Sequence, residues 1–510
     1  MDEVTTVAMA YAVAGYATDP VHISYSGSQA SLTGIENAFA NANNLASSDS
    51  EFGSAYTTIP SGNAMAPQQA VDTIADAIGN CINQTSGAQS CSTLFSAAPV
   101  NGNGVAPTDT ASAVINIAHN PANSTSPNIQ NGTNIASIWG LALGYPQYTI
   151  STTAAVPNDL TLGLTFINGG LANAFAVAID GSGNAWIASQ PSTNSNASSS
   201  VVEIASPANM QLNETTYLVD YPTSSGEPYS IAVDGQSQNI WIGTSGGVEE
   251  FSNTGAPASG SPFLTYDSGY AINLDSAGNV WIGGNTSVYE LSSSGSLISG
   301  SSGYQLPNDG EPTGLALDPS NNVWVADGLN NDVVEIQLNS QGAQMTTVGS
   351  STDYFEPNGV AIDASNDVWT ANLGDNNFTK YAPIGSPTFT YLPADTPPTP
   401  QYVPQTTFVG IDGAGNSWLS LQAAYCSGSS CLGIAEVSGA GLQLSGPGFA
   451  IQGIQENGLA SANSAAIDGS GDVWIVNTYA QSVTELIGAA APVVTPLALA
   501  VSSNSVGVRP

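Results

Sequence analysis

The chain has 510 residues, enough for more than one core, and 42% of them are hydrophobic, so burial can drive folding. Its 39 acidic residues face two basic ones, Lys380 and Arg509, giving a formal net charge of −37, although only 8% of residues are charged. A nucleic-acid binder needs lysine and arginine to displace counterions from phosphates, so nucleic acid and anionic membrane surfaces are excluded as partners.

Acid tolerance is the expectation that fits this balance. Around pH 3–4 the carboxylates neutralise, and almost no positive charge remains to drive the self-repulsion that helps unfold ordinary proteins in acid. No stretch reaches the roughly 18–20 apolar residues of a membrane span. Residues 1–17, "MDEVTTVAMAYAVAGYA", are apolar enough for a signal peptide but begin acidic rather than basic, and they read as an amphipathic helix. A secreted chain would then carry its signal upstream of this numbering.

Residues 1–145 are rich in Ala and Asn and read as a small helical domain. "SLTGIENAFANANNLASS", "APQQAVDTIADAIGNCINQ" and "PTDTASAVINIAHNPA" each place apolar residues at helical spacing behind a Ser, Pro or Thr start signal. Four cysteines form two local pairs, Cys81 with Cys91 and Cys426 with Cys431. Neither pair has the spacing or the nearby histidines of a zinc site, so two short-loop disulfides in an oxidising compartment are expected. Residues 146–159 read as a linker.

The period then changes. Asp recurs at Asp180, Asp234, Asp275, Asp318, Asp363, Asp412 and Asp468, and Trp follows at Trp186, Trp241, Trp281, Trp324, Trp369, Trp418 and Trp474. Six positions separate the two in every copy but the second, which has seven. A third element ends each copy, with Glu203, Glu250, Glu290, Glu335, Glu436 and Glu485 in register and Lys380 in the fifth place.

Each copy reads as strand, Asp-capped turn, strand, turn, strand, with a Trp that buries on the order of 200 Å² against a neighbouring sheet. One such sheet cannot cover both of its faces, so the copies stack until a ring closes. The expected fold is mainly β, a seven-bladed β-propeller over residues 160–489 preceded by the helical domain. "LTLGLTF" (160–166) has no blade of its own and is expected to complete blade seven. Residues 490–510 read as an extended, β-prone C-terminal tail.

The motif of "EPTGLALDPSNNVWVAD" and "EPNGVAIDASNDVWTAN" resembles the NHL-type repeats of β-propellers and is similar to streptogramin-lyase-like propellers. With its helical first part, the chain also resembles secreted bacterial propeller proteins. The lyase resemblance implies a histidine and glutamate site with a magnesium ion. The chain departs from that pattern, because its only histidines, His22 and His119, lie in the helical part.

General acid–base work by histidine therefore has no material in the repeats. The repeat aspartates are expected to cap turns and the third-strand glutamates to be solvated, with Lys380 pairing a nearby carboxylate. Oxygen donors for calcium are offered by Asp327, Asn330, Asn331 and Asp332 and by Asp375, Asn376 and Asn377. No other cofactor is expected. The reading is an extracellular or cell-surface, non-enzymatic protein that self-assembles into a filament or layer through its tail or sheet edges. The alternatives are a glycan- or neutral-ligand-binding module and a calcium-dependent lactonase or hydrolase or, disfavoured by the lack of histidine in the repeats, a streptogramin-lyase-like enzyme.

Overall fold

In the computed structural model, the described residues are 2–47, 54–60, 64–83, 87–100, 104–121, 133–148, 156–157, 160–167, 170–171, 173–190, 199–210, 218–340, 342–348, 356–375, 377–382, 387–391, 404–420, 422–423, 434–441, 444, 462–478, 480–493 and 501–502. The protein is mainly β: seven antiparallel sheets form a propeller, preceded by α-helices. In blade 1, Ala174–Ile179 pairs with Ala185–Ser189, then Ser200–Ile204, then Leu218–Pro222. Blades 3, 4 and 5 repeat this four-strand order; among the described residues blade 2 (from Pro228–Val233) and blade 6 show its first three strands, and blade 7 (from Ala462–Ile467) takes its fourth strand from elsewhere in the chain. The first strands of successive blades are neighbours all the way round, and that of blade 7 meets that of blade 1.

Tryptophan makes the ring cohere. Each repeat Trp is at least 96% buried, and each packs against the next blade. Trp186 packs with Ile231 and Ile242 of blade 2, Trp281 with Leu315 of blade 4, and Trp418 with Ala465 and Ile467 of blade 7. Trp474 closes the circle onto Val177 and Ile187 of blade 1. Dispersion and burial are thus shared between blades, so no blade is stable by itself.

The circle is fastened by the strand that precedes blade 1. Gly163–Ile167 pairs with Ser482–Leu486 as the fourth strand of blade 7, from Leu486 opposite Gly163 to Ser482 opposite Ile167. A fifth strand, Ala64–Met65, comes from the helical part and pairs with Phe166 and Thr165.

Among the described residues six α-helices precede the propeller: α1 (Glu3–Ala12), α2 (Gln29–Leu45), α3 (Gln68–Asn83), α4 (Gly87–Ala97), α5 (Thr110–His119) and α6 (Thr133–Gly144). Asp2 opens α1 with a capping box and Asp109 caps α5 through Ser112 N. The Cys81–Cys91 disulfide joins α3 to α4; Cys426 and Cys431 lie outside the described residues. The helical core is continuous with the blade 7–blade 1 core, so the two parts share one apolar cluster. Helix α2 lies across the turns of those blades: Asn37 Nδ2 donates to Ser182 O (3.1 Å) and Ser470 Oγ to Gly34 O (3.0 Å). Gly34 is required there, since a Cβ would lie 1.9 Å from Gly469 O.

Candidate functional site

Each blade carries a polar cluster behind its Trp, built on the repeat Asp. In blade 1, Asp180 Oδ1 accepts from Ser182 N and Asn184 N, both at 2.9 Å, which caps the turn. Its other oxygen accepts Asn184 Nδ2 (2.9 Å) and the Trp186 indole N–H (3.0 Å). The Asp–Trp bond recurs in blades 3 to 7 at 3.0–3.5 Å. In blade 2 the longer spacing gives Asp234 Oδ2 to Ser237 Oγ at 2.5 Å. Six positions is the turn-and-pleat distance at which the indole of the second strand reaches back to the end of the first. In blades 1 and 3 to 7 the aspartates are therefore both caps and anchors for the Trp side chains.

The third-strand glutamates are not solvated. Each lies opposite its Trp in the ladder, Trp186 against Glu203 and Trp241 against Glu250. Glu250, Glu290 and Glu485 are buried and the rest partly so. Their partners are neutral donors: Tyr221 Oη gives its proton to Glu203 (3.0 Å), Tyr304 Oη to Glu290 (2.8 Å), and Asn416 Nδ2 to Glu436 (2.9 Å). Burial raises Glu203, Glu250 and Glu290, and burial with the nearby Asp412 charge pushes Glu436 up to about 8.

Two blades differ. In five of them the residue two before Trp is asparagine: Asn184, Asn239, Asn279, Asn322 and Asn416. Blade 5 has Asp367 there, and Lys380 replaces the glutamate. Lys380 Nζ lies 2.9 Å from Asp363 and 2.8 Å from Asp367, and 4.9 Å from the centre of the Trp369 ring. Blade 7 has Asp472 there and keeps Glu485. Asp468, Asp472 and Glu485 present carboxylate oxygens within 4.8 Å of one another, and all three are buried. Among the described residues this is the one group of its kind. Burial pushes Asp472 and Glu485 well above the usual carboxyl range; the Asp468 charge adds to the rise of both, and the Asp472 charge adds to that of Glu485.

The sequence-predicted calcium donors are used otherwise. Asp327 accepts Glu311 N (2.9 Å), Asn330 N (3.1 Å) and Asn330 Nδ2 (2.9 Å), so it closes a turn. Asp332 lies opposite Asp327 in the ladder, and burial with the Asp327 charge pushes it up to about 6. Asn331 accepts from Glu356 N (2.7 Å) and Asn377 accepts from Asn372 Nδ2 (2.6 Å). Asp375 is exposed in a blade 5 turn, and Asn376 lies outside the described residues. His22 is exposed against Asp19 (2.6 Å), and His119 Nε2 meets Ala14 O at 2.8 Å.

Two features occupy the first strands. Phe175, Tyr229 and Tyr270 stand at the same repeat position of blades 1, 2 and 3, with ring centres 6.1 and 5.3 Å apart. The tail also returns here. Val501–Ser502 forms a short strand in which Ser502 pairs with Ser230 and Val501 with Ile231, along the first strand of blade 2. It also neighbours the first strands of blades 1, 3, 4, 5 and 7, which places it on the propeller axis.

These features define a seven-bladed β-propeller. No family model and no curated protein sequence matches the chain. Among solved structures it is similar to virginiamycin B lyase from Staphylococcus aureus, with 14% identity and a TM-score of 0.48 over 64% of this chain and 98% of that one. A streptogramin B lyase structure gives 14% and 0.47 over 64% and 96%. The WD40 propeller domain of Doa1 gives 11% and 0.44 over 63% and 94%.

Proposed function

We propose that the chain is an extracellular, non-catalytic propeller that works by self-assembly, with its C-terminal segment as the strand donor. One observation carries this reading: the backbone of Val501–Ser502 adds as a strand to the first strand of blade 2. Strand addition is a backbone-driven mode of recognition, and a donor that reaches its own acceptor reaches the same acceptor on a neighbour equally well. Such an exchange costs no new interface. The Cys81–Cys91 disulfide supports an oxidising compartment, and the scarcity of lysine and arginine keeps the surface from nonspecific anionic partners.

The test removes residues 494–510 and follows assembly by sedimentation and electron microscopy at pH 4 and pH 7. The full chain is expected to form filaments or layers, and the shortened chain to remain a folded monomer. A full chain that stays monomeric, or a shortened one that assembles equally well, overturns the reading.

A second reading, binding of a neutral glycan, is favoured by the aromatic row. Tyr229 and Tyr270 are only half-buried and stand 5.3 Å apart. Sugar-ring stacking there would be abolished by Tyr229→Ala with Tyr270→Ala, measured as loss of binding to soluble oligosaccharides.

A further inference from the structure

We propose that Asp468, Asp472 and Glu485 bind a divalent cation of the calcium class, and that this ion fastens helix α2 to blade 7. The first ground is convergence. Three buried carboxylates present oxygens within 4.8 Å of one another. Glu485 is fully buried, and its Oε2 has no hydrogen-bond partner. Burying a carboxylate without compensation is among the costliest things a fold can do, and a native interior answers it with a partner.

The second ground is independent and comes from the repeat itself. Blade 5 is the other blade with aspartate two before its Trp, and there a cation occupies the cluster: Lys380 Nζ bridges Asp363 and Asp367 at 2.9 and 2.8 Å. The lysine grows from the third-strand position that Glu485 holds in blade 7, opposite the Trp in both. The same two-aspartate scaffold thus binds positive charge where the chain supplies it covalently. Blade 7 has the scaffold with a third carboxylate in place of the lysine. That exchange turns a salt bridge into a chelate.

The donor chemistry selects the ion. All three side chains offer hard oxygen, which suits calcium rather than a metal that prefers nitrogen or sulfur. The two aspartates are already held in place by donors around the site. Asp468 accepts Ser470 N (2.8 Å), Asp472 N (3.0 Å) and the Trp474 indole (3.0 Å), and Asp472 accepts Gly488 N (2.6 Å). Such contacts orient ligands as an outer shell does.

Asn41 of α2 reaches the same point, its amide 2.8 Å from Asp472 Oδ2 and 2.7 Å from Glu485 Oε1. Turning that amide over, together with that of Asn44 beside it (3.1 Å), presents a fourth oxygen and keeps the Asn41–Asn44 bond. The ion then joins the helical part to the blade that closes the ring.

The experiment uses the full chain stripped with a chelator at pH 7. Terbium is titrated in with excitation at tryptophan, since the Trp474 indole is bonded to Asp468. Calcium chloride and magnesium chloride are compared by thermal melts. Sensitised terbium emission that calcium displaces, with a rise in Tm of several degrees on adding calcium, is expected.

Asp472→Asn recreates the arrangement of five other blades and is expected to lose both responses. Glu485→Lys recreates blade 5 and is expected to melt near the calcium-loaded wild type with no further gain from calcium. Absence of terbium emission and of a calcium shift in the wild type overturns the proposal and leaves protons as what the carboxylates share. Responses that persist in Asp472→Asn also overturn it.

Discussion

Lys380 Nζ lies 2.9 Å from the Asp363 carboxylate, with both side chains more than 90% buried. Lys380 is also the one lysine of the chain. Burial alone would raise Asp363, but the Trp369 indole, the lysine and backbone donors outweigh it and hold the carboxyl below its usual range. Removing the cation by Lys380→Met leaves Asp363 and Asp367 facing each other in the interior. The expected cost is about 3–5 kcal/mol, the range for breaking a buried pair from one side. Urea unfolding measures it, and adding Asp367→Asn, which restores the arrangement without lysine, should recover a large part.

The Asp–Trp anchor makes a second prediction in blade 4. Asp318 accepts Ser320 N (2.8 Å), Asn322 N (2.9 Å), Asn322 Nδ2 (2.8 Å) and the Trp324 indole (3.4 Å). Asp318→Ala strands these donors and is expected to cost about 1–2 kcal/mol. Trp324→Ala also opens a cavity against Val360 and Val368 of blade 5 and should cost about 3–5 kcal/mol. Denaturant melts rank the two.

The blades were readable from sequence because a strand–turn–strand phrase has a period, and seven registered Asp and Trp positions count blades directly. The closing strand, expected at 160–166 and found at Gly163–Ile167, was readable as well, since a β segment without a blade of its own has one place to go. What a repeat does not encode is where its third strand faces. Glu203 to Glu485 look like the polar face of an edge strand, yet they sit opposite Trp, wholly or partly buried among neutral donors. The spacing of six from Asp to Trp did carry the indole bond, to a reader asking which acceptor the buried N–H finds. The blade 7 cluster was marked by Asp472 standing where five copies have asparagine. Its significance became visible only once Asn41, far away in sequence, was placed against it.

Stability should fall as pH rises, and the sign follows from burial. Glu436 is pushed up to about 8, and Asp332 and Asp76 to about 6. Burial is the first cause in each case, joined by the Asp412 charge at Glu436 and the Asp327 charge at Asp332. Asp76 also feels Glu3, while Gln147 N (2.7 Å) and Tyr148 N (3.0 Å) donate to its Oδ1 and oppose the rise. A carboxyl raised in the folded state binds more protons there than in the unfolded chain. Its contribution is therefore complete below about pH 4 and is lost as pH climbs through the folded value. Thermal melts in chelator are expected to show Tm highest near pH 4–5 and declining to pH 8, and Glu436→Gln should flatten the limb between pH 6 and 8. A Tm that rises steadily over that range contradicts the assignment.

The closing strand is where the ring should fail first. Thr165 sits inside a five-stranded sheet, opposite Thr484 on one side and Met65 on the other, with the two threonine hydroxyls 3.3 Å apart. Proline there removes a ladder donor with neighbours on both sides, a position proline does not hold in native sheets. Thr165→Pro is therefore expected to release Gly163–Ile167 from blade 7 and, with it, the helical part that pairs through Ala64–Met65. Leu164→Ala, at a fully buried site, keeps the ladder and should cost about 2–5 kcal/mol through its cavity alone. Limited proteolysis separates the outcomes. Leu164→Ala should be cut no faster than its lower stability implies. Thr165→Pro should be cut rapidly around residues 150–170 while blades 2 to 5 still resist, because a ring opened at one seam loses its ends before its middle.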